Sequence, residues 1–274
     1  MTFDMTYDDL KRNLTARFRA AELGSADLDA RLLIESVTGY SAAELILNGQ
    51  NIVPPAALGE IEALAARRLA REPVDHILGY REFYGRRFEI SKDVLSPRPE
   101  TEGLVDAALA TIKNTENPHI LDLGTGSGAI IISVLAERSD AAGVAADVSH
   151  GALDIAARNA AAHNVATGLT LTESDWFSAV DGVFDLIVSN PPYITDAAME
   201  ALSFEVTGFD PDLALRGGPD GLAPYRIITA RAADYLKPGA ALIFEIGYDQ
   251  GAAVSSLMKR CEMNWKASKN SSSS

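Results

Sequence analysis

Asp122-Leu123-Gly124-Thr125-Gly126-Ser127-Gly128-Ala129 closes a short apolar run, His119–Leu123, and passes directly into Ala129–Glu137. The run reads as a strand and the segment after it as a helix. Three glycines at alternate positions allow a tight turn and a close approach of backbone to a ligand. The helix that follows starts with unpaired N–H groups and a partial positive charge. Strand, glycine turn and helix together form a cradle for a small molecule.

The pattern repeats outward from this turn. Ala142–Ala146, Leu169–Thr172, Phe184–Ser189 and Ala240–Ile246 read as strands, and Gly151–His163 and Leu222–Leu236 as helices. Strands alternating with helices predict a doubly wound, mainly parallel α/β sheet covered on both faces. Ligands of such sheets sit beyond the carboxyl ends of the strands, so those ends hold the candidate site.

Gly124, Gly126 and Ala129 satisfy the dinucleotide pattern G-x-G-x-x-G/A, and Asp147 lies 23 residues after Gly124 at the next strand end. An acid there can bind the ribose hydroxyls of an adenine dinucleotide or of S-adenosylmethionine. Asp122 favours the second ligand. A carboxylate just before the loop can meet the ammonium of a methionine moiety and would repel a pyrophosphate. Beyond the third strand, Asp175 can accept from an adenine amino group and Trp176 can pack on the ring; an acidic loop with a Trp packed for its own sake is the alternative.

The fourth strand ends in Asn190-Pro191-Pro192-Tyr193-Ile194. Two prolines fix φ and remove two backbone donors while keeping their carbonyls. The loop therefore accepts hydrogen bonds and donates few. The Asn190 amide oxygen and the Pro191 carbonyl can take the two N–H groups of a planar NH2, with Tyr193 packed against that plane.

Residues 1–75 read as a small helical bundle. Leu10, Leu14 and Phe18 recur at helical spacing, Ser25 can cap a second helix that ends near Gly39, Ser41 and Glu44 form a capping box, and Pro54-Pro55 open a fourth helix. Ile77, Leu78, Tyr80, Phe83 and Tyr84, then Gly85, then Phe88, Ile90 and Val94 read as two strands around a turn, a β-hairpin linker over 76–95. The catalytic region is then 96–274, with an atypical tail over 260–274.

The net charge of the 274 residues is −14. Residues 1–95 carry 12 basic and 15 acidic side chains; the remainder carries 12 and 23, and so holds −11 of the total. Nucleic-acid affinity rests largely on Lys and Arg at phosphates, so no direct nucleic-acid binding is expected. The four histidines are scattered and the single cysteine is Cys261, which predicts no metal site and a reducing, cytoplasmic setting. No apolar run approaches the roughly 20 residues of a membrane span.

Asn190-Pro191-Pro192-Tyr193 resembles the motif of methyltransferases that act on planar exocyclic or amide nitrogens. With Gly79-Tyr80-Arg81-Glu82-Phe83, Pro97-Arg98-Pro99-Glu100-Thr101-Glu102 and Gly217-Gly218-Pro219-Asp220-Gly221-Leu222, the chain resembles the HemK-type glutamine methyltransferases of peptide-chain release factors. The resemblance implies a Rossmann-like class I methyltransferase domain using S-adenosylmethionine. Asp122, Gly124, Thr125, Gly126, Ser127, Gly128, Asp147, Asp175, Trp176 and Asn190 would hold the cofactor. Asn190, Pro191, Pro192 and Tyr193 would bind the substrate and carry the chemistry. It further implies a release factor as partner, its Gly-Gly-Gln loop as acceptor and the helical region as recognition module. Cys261–Ser274 departs from the family, whose domain continues into a last pair of strands; here no strand alternation is expected and an exposed sheet edge would follow. A ribosomal-protein glutamine methyltransferase, an amino-methyltransferase on DNA or RNA, a catalytically dead binding protein and a dehydrogenase are the competing readings.

Overall fold

A computed structural model describes residues 5–260 and 265–269. The chain divides into two compact units, Met1–Gly79 and Tyr80–Ser274.

The first unit holds helices α1 (Tyr7–Ala20), α2 (Ala26–Thr38), α3 (Ala42–Leu47), α4 (Pro55–Leu69) and α5 (Val74–Leu78). Leu10, Leu14, Phe18, Leu33, Ile34 and Ile61 are fully buried in its core. The capping box forms as the sequence indicates. The Glu44 amide donates to Ser41 Oγ at 3.3 Å, and the Ser41 amide donates to Glu44 Oε2 at 2.8 Å. Ser25 stands at the N-cap of α2 without a side-chain cap bond. Helix α5 occupies residues expected to begin a strand. Pro73 supplies its first fixed φ, and Gly79, at φ +76°, stops it after five residues.

The second unit begins with the hairpin β1 (Tyr80–Phe83) and β2 (Arg86–Glu89), followed by α6 (Glu102–Thr111). The hairpin has a core role: Phe83 and Phe88 are buried with Leu104, Val105 and Ala108 of α6. Then follow β3 (His119–Leu123), α7 (Ala129–Glu137), β4 (Ala142–Asp147), α8 (His150–Ala162), β5 (Leu169–Glu173), β6 (Phe184–Ser189), β7 (Ile194–Thr195), α9 (Asp196–Met199), α10 (Phe204–Thr207), α11 (Asp212–Leu215), β8 (Arg216–Gly218), α12 (Ala223–Tyr235), β9 (Leu236–Ile246), α13 (Gly251–Arg260) and β10 (Trp265–Lys269).

The main sheet has the order β10-β9-β6-β3-β4-β5, and every pairing is parallel. Its central strands β3, β6 and β9 are apolar on both faces, as two-sided coverage requires. Ile120, Leu186, Val188 and Ile243 face α6 and α7; Leu121, Ile187, Leu242 and Phe244 face α12 and α13. The fold is thus the expected α/β Rossmann-like sheet.

The tail departs from expectation. Trp265–Lys269 pairs in parallel with Leu242–Ile246 and forms the sheet edge beside β9. A ladder is made by the backbone, and five residues suffice for it. Trp265-Lys266-Ala267-Ser268 is also a short apolar–polar alternation, hidden in sequence by the serine-rich residues after it. Cys261 and the terminal serines lie outside the described residues.

The order of the sheet fixes the place of the site. From β3 the chain runs one way to β4 and β5, then returns to β6 on the other side of β3. The carboxyl ends of β3 and β6 are therefore neighbours at the switch point, where a crevice opens. Ser189 Oγ donates to the Leu123 carbonyl at 2.6 Å and ties those two ends together.

Candidate active site

Both sequence loops meet at this switch point, on a cavity of about 500 Å³. Gly124, Thr125, Gly126, Ser127, Asp147, Asp175, Trp176, Asn190 and Pro192 line it. Gly128, Pro191, Tyr193 and Asp122 border those residues in sequence without lining the cavity themselves.

The glycine loop is folded by its own backbone. Gly124, Gly126 and Gly128 have φ of +71°, +56° and +79°, a region that costs other residues strain. The amides of Gly124 and Thr125 donate to the Ala146 carbonyl at 2.8 and 3.1 Å. The glycines serve different needs. A Cβ on Gly126 would enter open space, whereas one on Gly128 would come within 2.6 Å of Ile132 Cδ1 and 3.3 Å of the Ala156 Cβ. Gly128 is a packing glycine, and Gly126 keeps a cavity wall low.

Asp147 is held from two sides. Its Oδ2 accepts from the Gly126 amide and its Oδ1 from the Ser149 amide, both at 2.9 Å. Burial raises its pKa, and those amides oppose the rise. Each oxygen keeps acceptor capacity toward the cavity.

Asp122 is fully buried below the loop. Thr125 Oγ1 donates to its Oδ2 at 2.7 Å, and Oδ1 has no hydrogen-bond partner among the described residues. Burial pushes the carboxyl up to about 7; the Thr125 bond lowers it and the Asp147 charge raises it. The acid lies one layer deeper than a direct cavity contact requires, with Thr125 between it and the lining.

Trp176 has φ +51°, an outlier for an aromatic residue. The buried Ser174 hydroxyl donates to the Trp176 carbonyl at 2.8 Å and accepts from the Ala179 amide at 3.0 Å, which holds this turn. The strained backbone turns the ring toward Gly124, where a built Cβ would lie 3.9 Å from Trp176 Cζ3. Asp175 stays exposed at the rim.

In the Asn190–Ile194 loop, the acceptor loop, so called for its hydrogen-bond acceptors, Asn190 Nδ2 donates to Thr101 Oγ1 at 3.3 Å. That bond occupies the amino end of the amide and leaves its oxygen to accept. Tyr193 is half-buried against the core that contains Phe177 and Tyr225. Burial raises its hydroxyl pKa, with the Glu245 charge adding to the rise.

Several residues of the site have no site role in the sequence reading, although Arg98 and Thr101 fall in its Pro97–Glu102 motif. Thr101 sits in a short 3-10 turn, Pro99–Thr101, and is buried. Arg98 bonds Asp210 Oδ2 at 2.8 Å, so the two cavity walls, 92–101 and 211–214, are joined by an ion pair. Asn159, buried on α8, donates to the Ser127 carbonyl at 2.9 Å and to the Glu89 carbonyl at 3.0 Å, and accepts from the Glu89 amide at 2.7 Å. It locks the glycine loop to β2. The sequence shows only an Asn among alanines at that position. Among the described residues no three His, Cys, Asp or Glu side chains gather as metal ligands, and no helix is long and apolar enough to cross a membrane.

The site accepts S-adenosylmethionine on its own features. The cavity lies within the usual size of a small-molecule pocket, Asp147 has acceptor capacity left toward it, an aromatic ring borders the glycine turn, and the buried Asp122 carboxyl lies beneath it.

Residues 9–79 match the PrmC N-terminal domain family, and residues 105–205 match the Methyltransferase small domain family. A release factor glutamine methyltransferase of Cereibacter sphaeroides is 48% identical over 251 residues, spanning 92% of this chain and 89% of that protein. One from Agrobacterium fabrum is 43% identical over 250 residues, spanning 89% and 86%. The hMettl16 catalytic domain, solved in complex with the MAT2A 3'UTR hairpin 6, has a similar structure at TM-score 0.53. Its identity is 16%, with 65% of this chain and 67% of that one covered, and the likeness is one of fold alone.

Proposed function

The chain belongs to the release factor glutamine methyltransferase family, and on that premise we propose that it methylates the side-chain amide nitrogen of a release-factor glutamine, the one in the Gly-Gly-Gln loop, with S-adenosylmethionine as methyl donor. The observation that carries this reading is the acceptor loop. Asn190 and Pro192 line the cavity, the Asn190 amino end is bound to Thr101, and two prolines have removed the local donors.

S-adenosylmethionine supplies an electrophilic methyl group on a sulfonium. In this reading Gly124–Gly128 and Asp147 hold it, with Trp176 against its base. The acceptor is a poor nucleophile, because the amide lone pair is delocalised into its carbonyl. The Asn190 oxygen and the Pro191 carbonyl accept its two N–H groups and fix the NH2 in place. The same oxygens stabilise positive charge as it develops on nitrogen, a preorganised electrostatic effect. Positioning of this kind is worth several kcal/mol, up to about 7–11 in the best intramolecular cases. The nitrogen sheds its proton readily once it bears positive charge, so no side-chain base is assigned. The acidic charge balance, with −11 beyond residue 95, supports a protein acceptor over a nucleic acid, and a translation factor as acceptor makes the cytoplasm the place of work.

Intact-mass spectrometry of a release factor incubated with the protein and S-adenosylmethionine tests the reading. One added methyl on the natural factor, and none on a Gln→Ala acceptor variant, is the expected result. Methylation of both, or of neither while the cofactor binds, contradicts it.

A further inference from the structure

We infer that Gln250 is a positioning residue for the acceptor loop: its amide holds the Tyr193 carbonyl and so sets where Asn190 and Pro191 stand. The inference rests on the function proposed above.

Gln250 is buried at the turn between β9 and α13. Nε2 donates to the Tyr193 carbonyl and to the Gly221 carbonyl, both at 3.1 Å, and Oε1 accepts from the Gly247 amide at 3.1 Å. One side chain thus joins three backbone segments: the acceptor loop, the glycine-rich turn 217–221 and the end of β9. Both donor positions of its NH2 are used.

The glycine-rich turn is pressed against the same loop. A Cβ on Gly217 would lie 2.8 Å from Tyr193 Cα and 2.9 Å from the Pro192 carbonyl oxygen. A Cβ on Gly221 would lie 2.3 Å from the Tyr193 carbonyl oxygen and 2.7 Å from Gln250 Nε2. Gly221 also has φ +71°. Backbone meets backbone with no room for a side chain, and the Gln250 amide is the clasp at that contact.

The chemistry of the loop explains why a side chain from elsewhere is used. Pro191 and Pro192 have no N–H, so the loop cannot brace itself with amides at those positions. Its carbonyls must stay available to the acceptor, which leaves the Tyr193 carbonyl as the point of attachment. Tyr193 is two residues from Pro191, and an error of about 1 Å at reacting atoms costs on the order of 100-fold in rate. Gln250 has no place in the cavity lining, so its effect falls on turnover and spares cofactor affinity.

Two variants separate positioning from simple support of the β9–α13 turn. Gln250→Glu keeps an oxygen for the Gly247 amide and loses both donors to Tyr193 and Gly221. Gly221→Ala leaves Gln250 intact and pushes the same contact from the other side. Each is assayed for turnover on a release factor, for KM of that factor, for the dissociation constant of S-adenosylmethionine by calorimetry, and for Tm. Both should lower kcat about 30–100-fold, with the cofactor dissociation constant and the KM each within about threefold of wild type. Wild-type-like turnover in Gln250→Glu overturns the inference, because the Gly247 bond alone would then suffice. A loss of cofactor affinity as large as the loss of kcat overturns it as well. If Gln250→Glu fails to fold, Gly221→Ala decides by the same readings. A wild-type enzyme that transfers no methyl to the release factor would contradict the proposed function itself, a distinct result from an active wild type beside a normal variant.

Discussion

The glycine loop and the acceptor loop lie side by side at the ends of β3 and β6, yet they are held by opposite means. Gly124–Gly128 is a coil with positive φ at its three glycines, fastened largely through its own backbone groups, and its carboxylate partners lie 3 and 21 residues away in sequence. Asn190–Tyr193 is a stiff, donor-poor segment fastened by side chains 89 and 57 residues away, Thr101 and Gln250. The first loop adapts its backbone to a ligand. The second keeps its backbone fixed and presents oxygens. Under the proposed function, binding and chemistry fall to different polypeptide devices, and substitutions in one should leave the other's function largely intact.

The largest separable effect is expected at Asp122. Its folded pKa is raised, so the stability associated with its protonated form is complete below the unfolded value near 4 and is lost as pH rises through about 7. Asp122→Asn removes that loss. At pH 8 the ligand-free variant should be more stable than wild type by on the order of 4 kcal/mol, with a correspondingly higher Tm, and the gap should close toward pH 4. Its cofactor affinity should fall while any residual turnover at saturation is retained. A Tm difference independent of pH would show that burial does not govern this carboxyl.

Gly128→Ala and Gly126→Ala sharpen the reading of the glycine loop. Gly128→Ala forces a Cβ onto Ile132 at positive φ and should cost about 2 kcal/mol, seen as a fall of several degrees in Tm. Gly126→Ala meets no atom within 4 Å and should cost less stability, but it narrows the cavity and should weaken cofactor binding more than Gly128→Ala does. Equal effects would mean that these two glycines are interchangeable, and the reverse order that their roles are exchanged.

Thr101→Val addresses the acceptor loop with the smallest expected change. Removing the hydroxyl leaves Asn190 Nδ2 without its partner, which should lower kcat about tenfold with unchanged cofactor affinity. Thr101→Ser should retain most of the rate. A Ser variant as slow as Val would mean that the methyl group's packing matters and the hydrogen bond does not.

The same contrast governs what could be read from sequence. The sheet strands, the glycine loop and the capping box at Ser41 and Glu44 announce themselves because their determinants are local: apolar runs, glycines at fixed offsets, a hydroxyl three residues from a carboxylate. The acceptor loop is recognisable as a motif, but its supports are not, since Thr101 and Gln250 meet it only through the fold. The role of Asn159 and the pairing of Arg98 with Asp210 were illegible for the same reason. Helix α5 was masked by the apolar run Ile77-Leu78 that leads into β1, and α6 by the proline-rich segment before it. Strand β10 was obscured by the polar tail, although a parallel edge ladder asks little of side chains.

The most direct test of this division is Asn190→Ala, with single-turnover methyl transfer to a release factor and S-adenosylmethionine binding measured on the same preparation. The account predicts a rate lower by about 100–1,000-fold, the usual effect of deleting one preorganised electrostatic contact, with the dissociation constant for the cofactor changed by less than about threefold. Turnover near wild type, or a loss of cofactor affinity that matches the loss of rate, would contradict it.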